Sequence, residues 1–418
     1  MTSGRTTAAQ TAFPPRNAPG GLKVLLGVLV AVGIVAFIAG LLGGDRLRAW
    51  QIFFVNFLFW SGLAQGGVVM AAVYRITNAR WGDHFRRIGE GMVAFLPVSF
   101  VLYLVLVIAG QEIFPWLREP VHGKEAWLSA PFLFGRDGAV FLVLMWLSGT
   151  YVYYSIRPDL GQAPSGTGGA PASGLVHRLM KHWRGWETES LESGRRLARL
   201  TPALLIAFAV LYSLIGFDLV MPLDPHWFST LFGWLYFLHA FFAGLVMVMT
   251  LAILSRPWFG TAGAFTEGQW HDMGKFVFGF CLLSGGFFWS QYLVIWYGNL
   301  PEESSFLMKR FYTQPWEPLM WVYIILAYLF PLAVFLSRRV KEIPAALLVM
   351  GVLILGALFI ERFIAVVPFL WQGATIPFGL VELVVTAGFA ALFVLSWIFF
   401  AERVTLVPKP EKRAERGE

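Results

Sequence analysis

Residues 229–254 read STLFGWLYFLHAFFAGLVMVMTLAIL, an apolar run with no Asp, Glu, Lys or Arg and a single histidine, His239. A helix needs about 20 such residues to cross the hydrocarbon of a bilayer. Backbone N–H and C=O groups find no water there, so a run of this length predicts a membrane-spanning helix. Working outward, runs of the same kind occupy roughly 23–43, 52–74, 89–110, 136–155 and 200–222 before it, and 275–297, 318–337, 343–367 and 377–401 after it. The sequence therefore predicts an all-α polytopic membrane protein of about ten transmembrane helices. Composition agrees. Hydrophobic residues make up 57% of the chain and charged residues 14%, where a soluble domain carries roughly a quarter charged.

The basic residues set the orientation. Of 32 lysines and arginines, 24 fall in the N-terminal tail, the loops after the second, fourth, sixth and eighth runs, and the C-terminal tail. The positive-inside rule then places both termini in the cytoplasm, and the multi-pass location expected is a bacterial inner membrane. Residues 1–22 lack the short apolar core of a signal peptide, so the first run reads as a permanent helix. The net charge of +7 resides in these loops, which argues against nucleic acid as a partner.

The one cysteine, Cys281, lies in an apolar run, so no disulfide, CxxCH haem attachment or cysteine-ligated cluster is expected. No metal-spaced histidine set, P-loop, dinucleotide fingerprint or nucleophile elbow occurs. A haem held by two histidines would need a second intramembrane histidine beside His239. The expectation is a chain that binds no metal, haem or cluster of its own and has no catalytic residue acting alone.

Ionisable groups within a bilayer are costly and face a cavity, a partner or a proton path. Candidates for a proton path follow. His239 reads either as a relay, because imidazole titrates near physiological pH, or as a neutral side chain bonded across a helix interface. Asp218 lies near the outer end of the fifth run, followed by Asp224 and His226. Asp224 reads as a helix cap with Pro225 in the first turn. Ser290 and Gln291 are polar at depth in the seventh run, with Glu302 and Glu303 just outside, as proton acceptors or a solvated loop. Glu361, Arg362 and Glu382 suit either a neutralised cluster or an outer half-channel. Glu90 pairs with Arg86 or Arg87 one turn earlier or takes up protons. Arg136 and Asp137 read as an anchoring pair.

The longest loop opens with a Gly/Pro/Ser/Ala linker at about 157–174. It continues at about 175–199 as a helix with Leu175, Leu179, Trp183 and Trp186 at helical spacing, either interfacial or a docking element. The C-terminal tail, 403–418, is basic. FLFWSGLAQGGVVM in the second run and FLHAFFAGLVMVM in the sixth are faintly alike, which suggests two related four-helix units with the first and last helices flanking them.

Three stretches are specific enough to carry a resemblance: FDLVMPLDPHWFSTLFGWLYF with the following AFFAGL, HDMGKFVFGFCLLSGGFFWSQYLVIWYGNLPEES, and RWGDHFRRIGE. Over about the second to the tenth helix the chain resembles the NrfD-like (polysulfide reductase NrfD) membrane subunits of alternative complex III. That complex is a quinol:cytochrome c oxidoreductase of respiratory electron transport. The ActF type is nearer than the larger ActC type. The resemblance implies two four-helix bundles plus two flanking helices over 23–402. It implies a sister NrfD-like (ActC-like) subunit, an iron–sulfur subunit similar to molybdopterin oxidoreductases (ActB-like), and c-type cytochrome subunits, so haem c and iron–sulfur clusters sit on partners. It implies quinol oxidation by the whole complex, with this subunit in proton translocation or in scaffolding the quinol site, and quinone as a possible ligand. The family's polar positions map onto Glu90, Asp218, Asp224, His226, Ser290, Gln291, Glu302 and Glu303. Pro222 stands where that family has serine, and His239 where it has a small residue. Read from the helices alone, a secondary transporter or a purely structural anchor are the other classes.

Overall fold

The computed structural model describes residues 16–44, 46–160, 174–261 and 263–407. Among the described residues there is no β-strand, and ten helices are long and apolar enough to cross a membrane. They are α1 (Gly20–Leu42), α2 (Arg46–Ile76), α3 (Asp83–Ile108), α4 (Ala130–Leu160), α5 (Trp186–Leu223), α6 (Thr230–Leu254), α7 (Glu267–Gly298), α8 (Trp316–Phe335), α9 (Pro344–Leu370) and α10 (Leu380–Ala401). The protein is a polytopic, all-α membrane protein.

Several helices outrun the apolar stretches that betray them, because a helix ends at its cap and not at the edge of the hydrocarbon. α7 starts at Glu267 behind a capping box: the Thr266 hydroxyl accepts from the Gln269 N–H at 3.3 Å, and the Gln269 side chain accepts from the Thr266 N–H at 2.9 Å. Two helices are wound wider over one turn, α5 at Gly216–Val220 and α8 at Ile325–Leu329, both as π-helix. Such bulges gather at functional sites.

α2 to α5 pack together as one bundle and α6 to α9 as a second, with α2 and α6 forming the seam between them. The apolar window of α2 is wholly buried within the protein, although its neighbours are also membrane helices. Without a hydrophobic drive between helices in lipid, close approach depends on small residues. At the seam, a Cβ on Gly66 would lie 2.2 Å from the Ala240 carbonyl oxygen, and one on Gly244 2.3 Å from the Gly67 nitrogen. α1 and α10 pair with each other outside the bundles, in contact through Gly33, whose added Cβ would lie 2.9 Å from the Gly388 Cα. The outer face of α1 exposes Val24, Val28 and Val35, as a lipid-facing helix should.

The stretch expected as one helix at about 175–199 is two: Gly174–Leu179, then the first turns of α5. His182 and Gly185 break it, with φ of 62° and 99°. Arg157 on α4 fixes this elbow. Its guanidinium donates to Glu189 at 2.5 Å and to the Leu179 and His182 carbonyls at 3.2 and 3.4 Å. The linker and the two tails lie mostly outside the described residues, but Val404 and Leu406, at the start of the C-terminal tail, are buried in the protein core.

Candidate functional site

The first bundle holds a column of polar groups along one face of α4. Asp137, Ser148, Tyr151 and Ser155 are all buried, with the apolar Leu144 on the same face. Their spacing of three and four residues, with one full heptad between Asp137 and Leu144, aligns them on a helix.

At the arginine-rich end of this column, Glu90 is fully buried. It accepts from the Arg87 guanidinium at 2.8 Å and from the Ser155 hydroxyl at 2.5 Å. Arg86 stands 3.8 Å away, and Arg87 also donates to Asp159. The expected pairing of Glu90 with a preceding arginine holds, and Ser155 and Asp159 are partners the sequence did not single out.

Midway, the Gln65 amide donates to Ser148 at 2.9 Å, bridging α2 and α4. Towards the opposite end, rings close the column: Phe141 lies 5.0 Å from Tyr103 and 5.6 Å from Phe57, centroid to centroid.

Beyond the rings, Asp218 on the wide turn of α5 is fully buried. It accepts from Arg136 at 2.8 Å and from the Trp127 indole at 3.0 Å. The guanidinium also stacks on Trp127, 3.9 Å from the ring centroid. Arg136 thus pairs with Asp218 and not with its sequence neighbour. Successive residues on a helix point about 100° apart, so Arg136 reaches α5 while Asp137 turns inward. Asp137 is fully buried beside Asp218, and neither of its oxygens has a hydrogen-bond partner of good geometry among the described residues. Two carboxylates here face one guanidinium. The sequence reading set Asp137 aside as half of an anchoring pair with Arg136, on the assumption that adjacent opposite charges pair.

An apolar cavity of about 630 Å³ abuts this cluster, bounded by Lys124, Trp127, Phe132, Phe217, Met221 and Trp227 among others. Its size is within the range of small-molecule sites.

The second bundle centres on His239 in α6. Its Nε2 lies 3.0 Å from the Tyr328 hydroxyl and 3.4 Å from that of Tyr323. The two tyrosines bond to each other, and Ser284 reaches Tyr328 at 3.3 Å. On its other side, His239 Nδ1 is 3.6 Å from Glu361, which also neighbours Arg362 at 3.4 Å. Arg362 donates to the Tyr236 carbonyl at 3.1 Å and stacks on that ring at 4.0 Å. Arg310, from the short helix Pro301–Phe311, is buried and within electrostatic range of Glu361. His239 is therefore bonded across the α6–α8 interface, inside a cluster of ionisable groups.

The remaining candidates scatter. Glu382 does not join Glu361 and Arg362. It pairs with Arg48 on α2 at 2.9 Å and accepts from the Gly379 N–H at 2.8 Å, closing the start of α10. Asp224 does not cap α6, whose N-cap position is Ser229; its carbonyl instead accepts from the Trp227 N–H at 3.1 Å. Ser290 is exposed and donates to the Gly286 carbonyl at 2.8 Å within its own helix. Gln291 is buried and donates to Ser229 at 3.3 Å. His226 and Glu302 are exposed, and Glu303 is half-buried in the first turn of the short helix. Among the described residues no three His, Cys, Asp or Glu side chains are grouped to hold a metal ion. No family model matches the chain, and no curated protein matches it either.

Proposed function

We propose that this chain is a membrane subunit of a quinol-oxidising complex, of the NrfD-like ActF type, that moves protons while partner subunits carry the electrons. The observation supporting this is the column in the first bundle: Glu90 at the arginine-rich end, Asp137 and Asp218 at the other, and Gln65–Ser148 between them. Buried carboxylates at both ends of a lipid-embedded bundle suit two half-paths separated by the Phe57–Tyr103–Phe141 rings. Two acids against one guanidinium leave room for a shared proton at the outer end. The apolar cavity against Trp127 suits scaffolding of a lipid-soluble ring beside that acid pair. The sister NrfD-like subunit, the iron–sulfur subunit and the c-type cytochromes are the partners this reading requires, in a bacterial inner membrane. A pure anchor would need none of these buried acids.

Purification from native membranes tests the assignment. Co-purification of haem c and iron–sulfur subunits supports it; a lone chain that drives solute uptake in vesicles supports a transporter. Within the complex, Asp218→Asn and Glu90→Gln are expected to lower the rate of quinol-driven proton release by about tenfold or more, whereas Glu302→Gln, on an exposed carboxylate, leaves it unchanged. Full proton release from both buried-acid variants would leave the chain as an anchor.

A further inference from the structure

We infer that the seam between the bundles carries a binding site for a single water molecule, held by His239 and Arg362. A cavity of about 10 Å³ lies there, bounded by Leu58, Phe59 and Gly62 of α2, His239, Ala240 and Ala243 of α6, and Leu358 and Arg362 of α9. That volume is the room one water needs. A water in a protein interior also needs two or more polar partners, and the walls supply two, both at least nine-tenths buried: His239 and Arg362.

His239 Nε2 is engaged with the tyrosine hydroxyls, but Nδ1 has no hydrogen-bond partner among the described residues. Its nearest acidic atom, Glu361 Oε2, is 3.6 Å away and is likewise buried without a hydrogen bond. The two atoms are too far apart to bond each other and close enough for one water beside them to reach both. Leaving a buried ring nitrogen unpaired is destabilising, which is the driving force for taking one up. The water accepts from an Arg362 N–H and donates to Nδ1, which places the imidazole proton on Nε2 for the tyrosine pair.

The same wall explains why the occupant is neutral. The guanidinium repels a cation, and an anion meets the Glu361 carboxylate, 3.4 Å from Arg362, with Arg310 in range of the same acid. Gly62 is the residue of the first bundle that leaves the space open. A Cβ there would lie 3.2 Å from the Ala240 Cβ and 3.3 Å from the Tyr212 hydroxyl, a fit reached by shifts of a few tenths of an ångström.

The test is a density map of the full chain, purified with whatever subunits accompany it, at a resolution that shows ordered water elsewhere in the protein. The expected result is one peak within hydrogen-bond distance of both His239 Nδ1 and an Arg362 nitrogen, lost in Gly62→Ala. A wild-type map with water at other buried polar sites but none here overturns the proposal, even if the variant fails to fold. An anomalous peak at this position after bromide exchange also overturns it, by making the occupant an anion. Neither outcome bears on whether the acids of the first bundle move protons.

Discussion

Arg87→Met is expected to destabilise the protein by about 3–5 kcal/mol, the cost of breaking a buried ion pair by removing one side of it. Arg87 is 1% exposed and Glu90 0%, so water cannot replace the lost guanidinium. Ser155 remains as one donor, and Arg86 at 3.8 Å is the nearest remaining charge. Asp159 loses its contact with Arg87 at the same time. The readout is the unfolding midpoint in detergent or nanodiscs at a matched heating rate. The double variant Arg87→Met, Glu90→Leu supplies the control, since apolar replacement of both partners is often neutral or better. It is expected to recover more than half of the loss, and a double variant as unstable as the single one would show that the two side chains are not coupled.

Gly244→Ala is expected to be at least as damaging, for a steric reason. The added Cβ would meet the Gly67 nitrogen at 2.3 Å and the Gly66 carbonyl carbon at 2.4 Å. These are backbone atoms of α2, which no rotamer change can move. Overpacking commonly costs about 1–3 kcal/mol and more where nothing can yield, so the expected result is loss of the monodisperse, folded protein on size exclusion. Gly286→Ala provides the contrast. No atom lies within 4 Å of a Cβ built there, so that variant should elute and unfold like the parent. Equal behaviour of the two variants would contradict the packing of α2 against α6.

The ten spans were legible because each needs only length and apolarity, and charge alone separates the loops by side. The pairing of Glu90 with an arginine one turn earlier was legible for a related reason: it is local. What escaped the sequence reading needed tertiary information. Asp137 and Arg136 are neighbours in sequence that serve different helices. Tyr323 and Tyr328 are five residues apart and would diverge on an ordinary helix. The wide turn at Ile325–Leu329 lets their hydroxyls meet at His239, and apolar patterning does not announce such a turn. Arg310, between the seventh and eighth spans, is buried within electrostatic range of Glu361. Glu382 and Glu361, both expected near the outer surface, point to different neighbours because α10 packs beside α1 and α2 while α9 belongs to the second bundle.

The glycine contact at Gly66, Gly67 and Gly244 has a mechanical consequence. Machines that ferry solutes by exposing one site first to one compartment and then to the other require two halves to tilt about a hinge. Here the backbones of α2 and α6 mesh like the teeth of locked gears, with less than one side-chain carbon of slack. Any tilt must first pull the teeth apart and forfeit the dispersion that holds them.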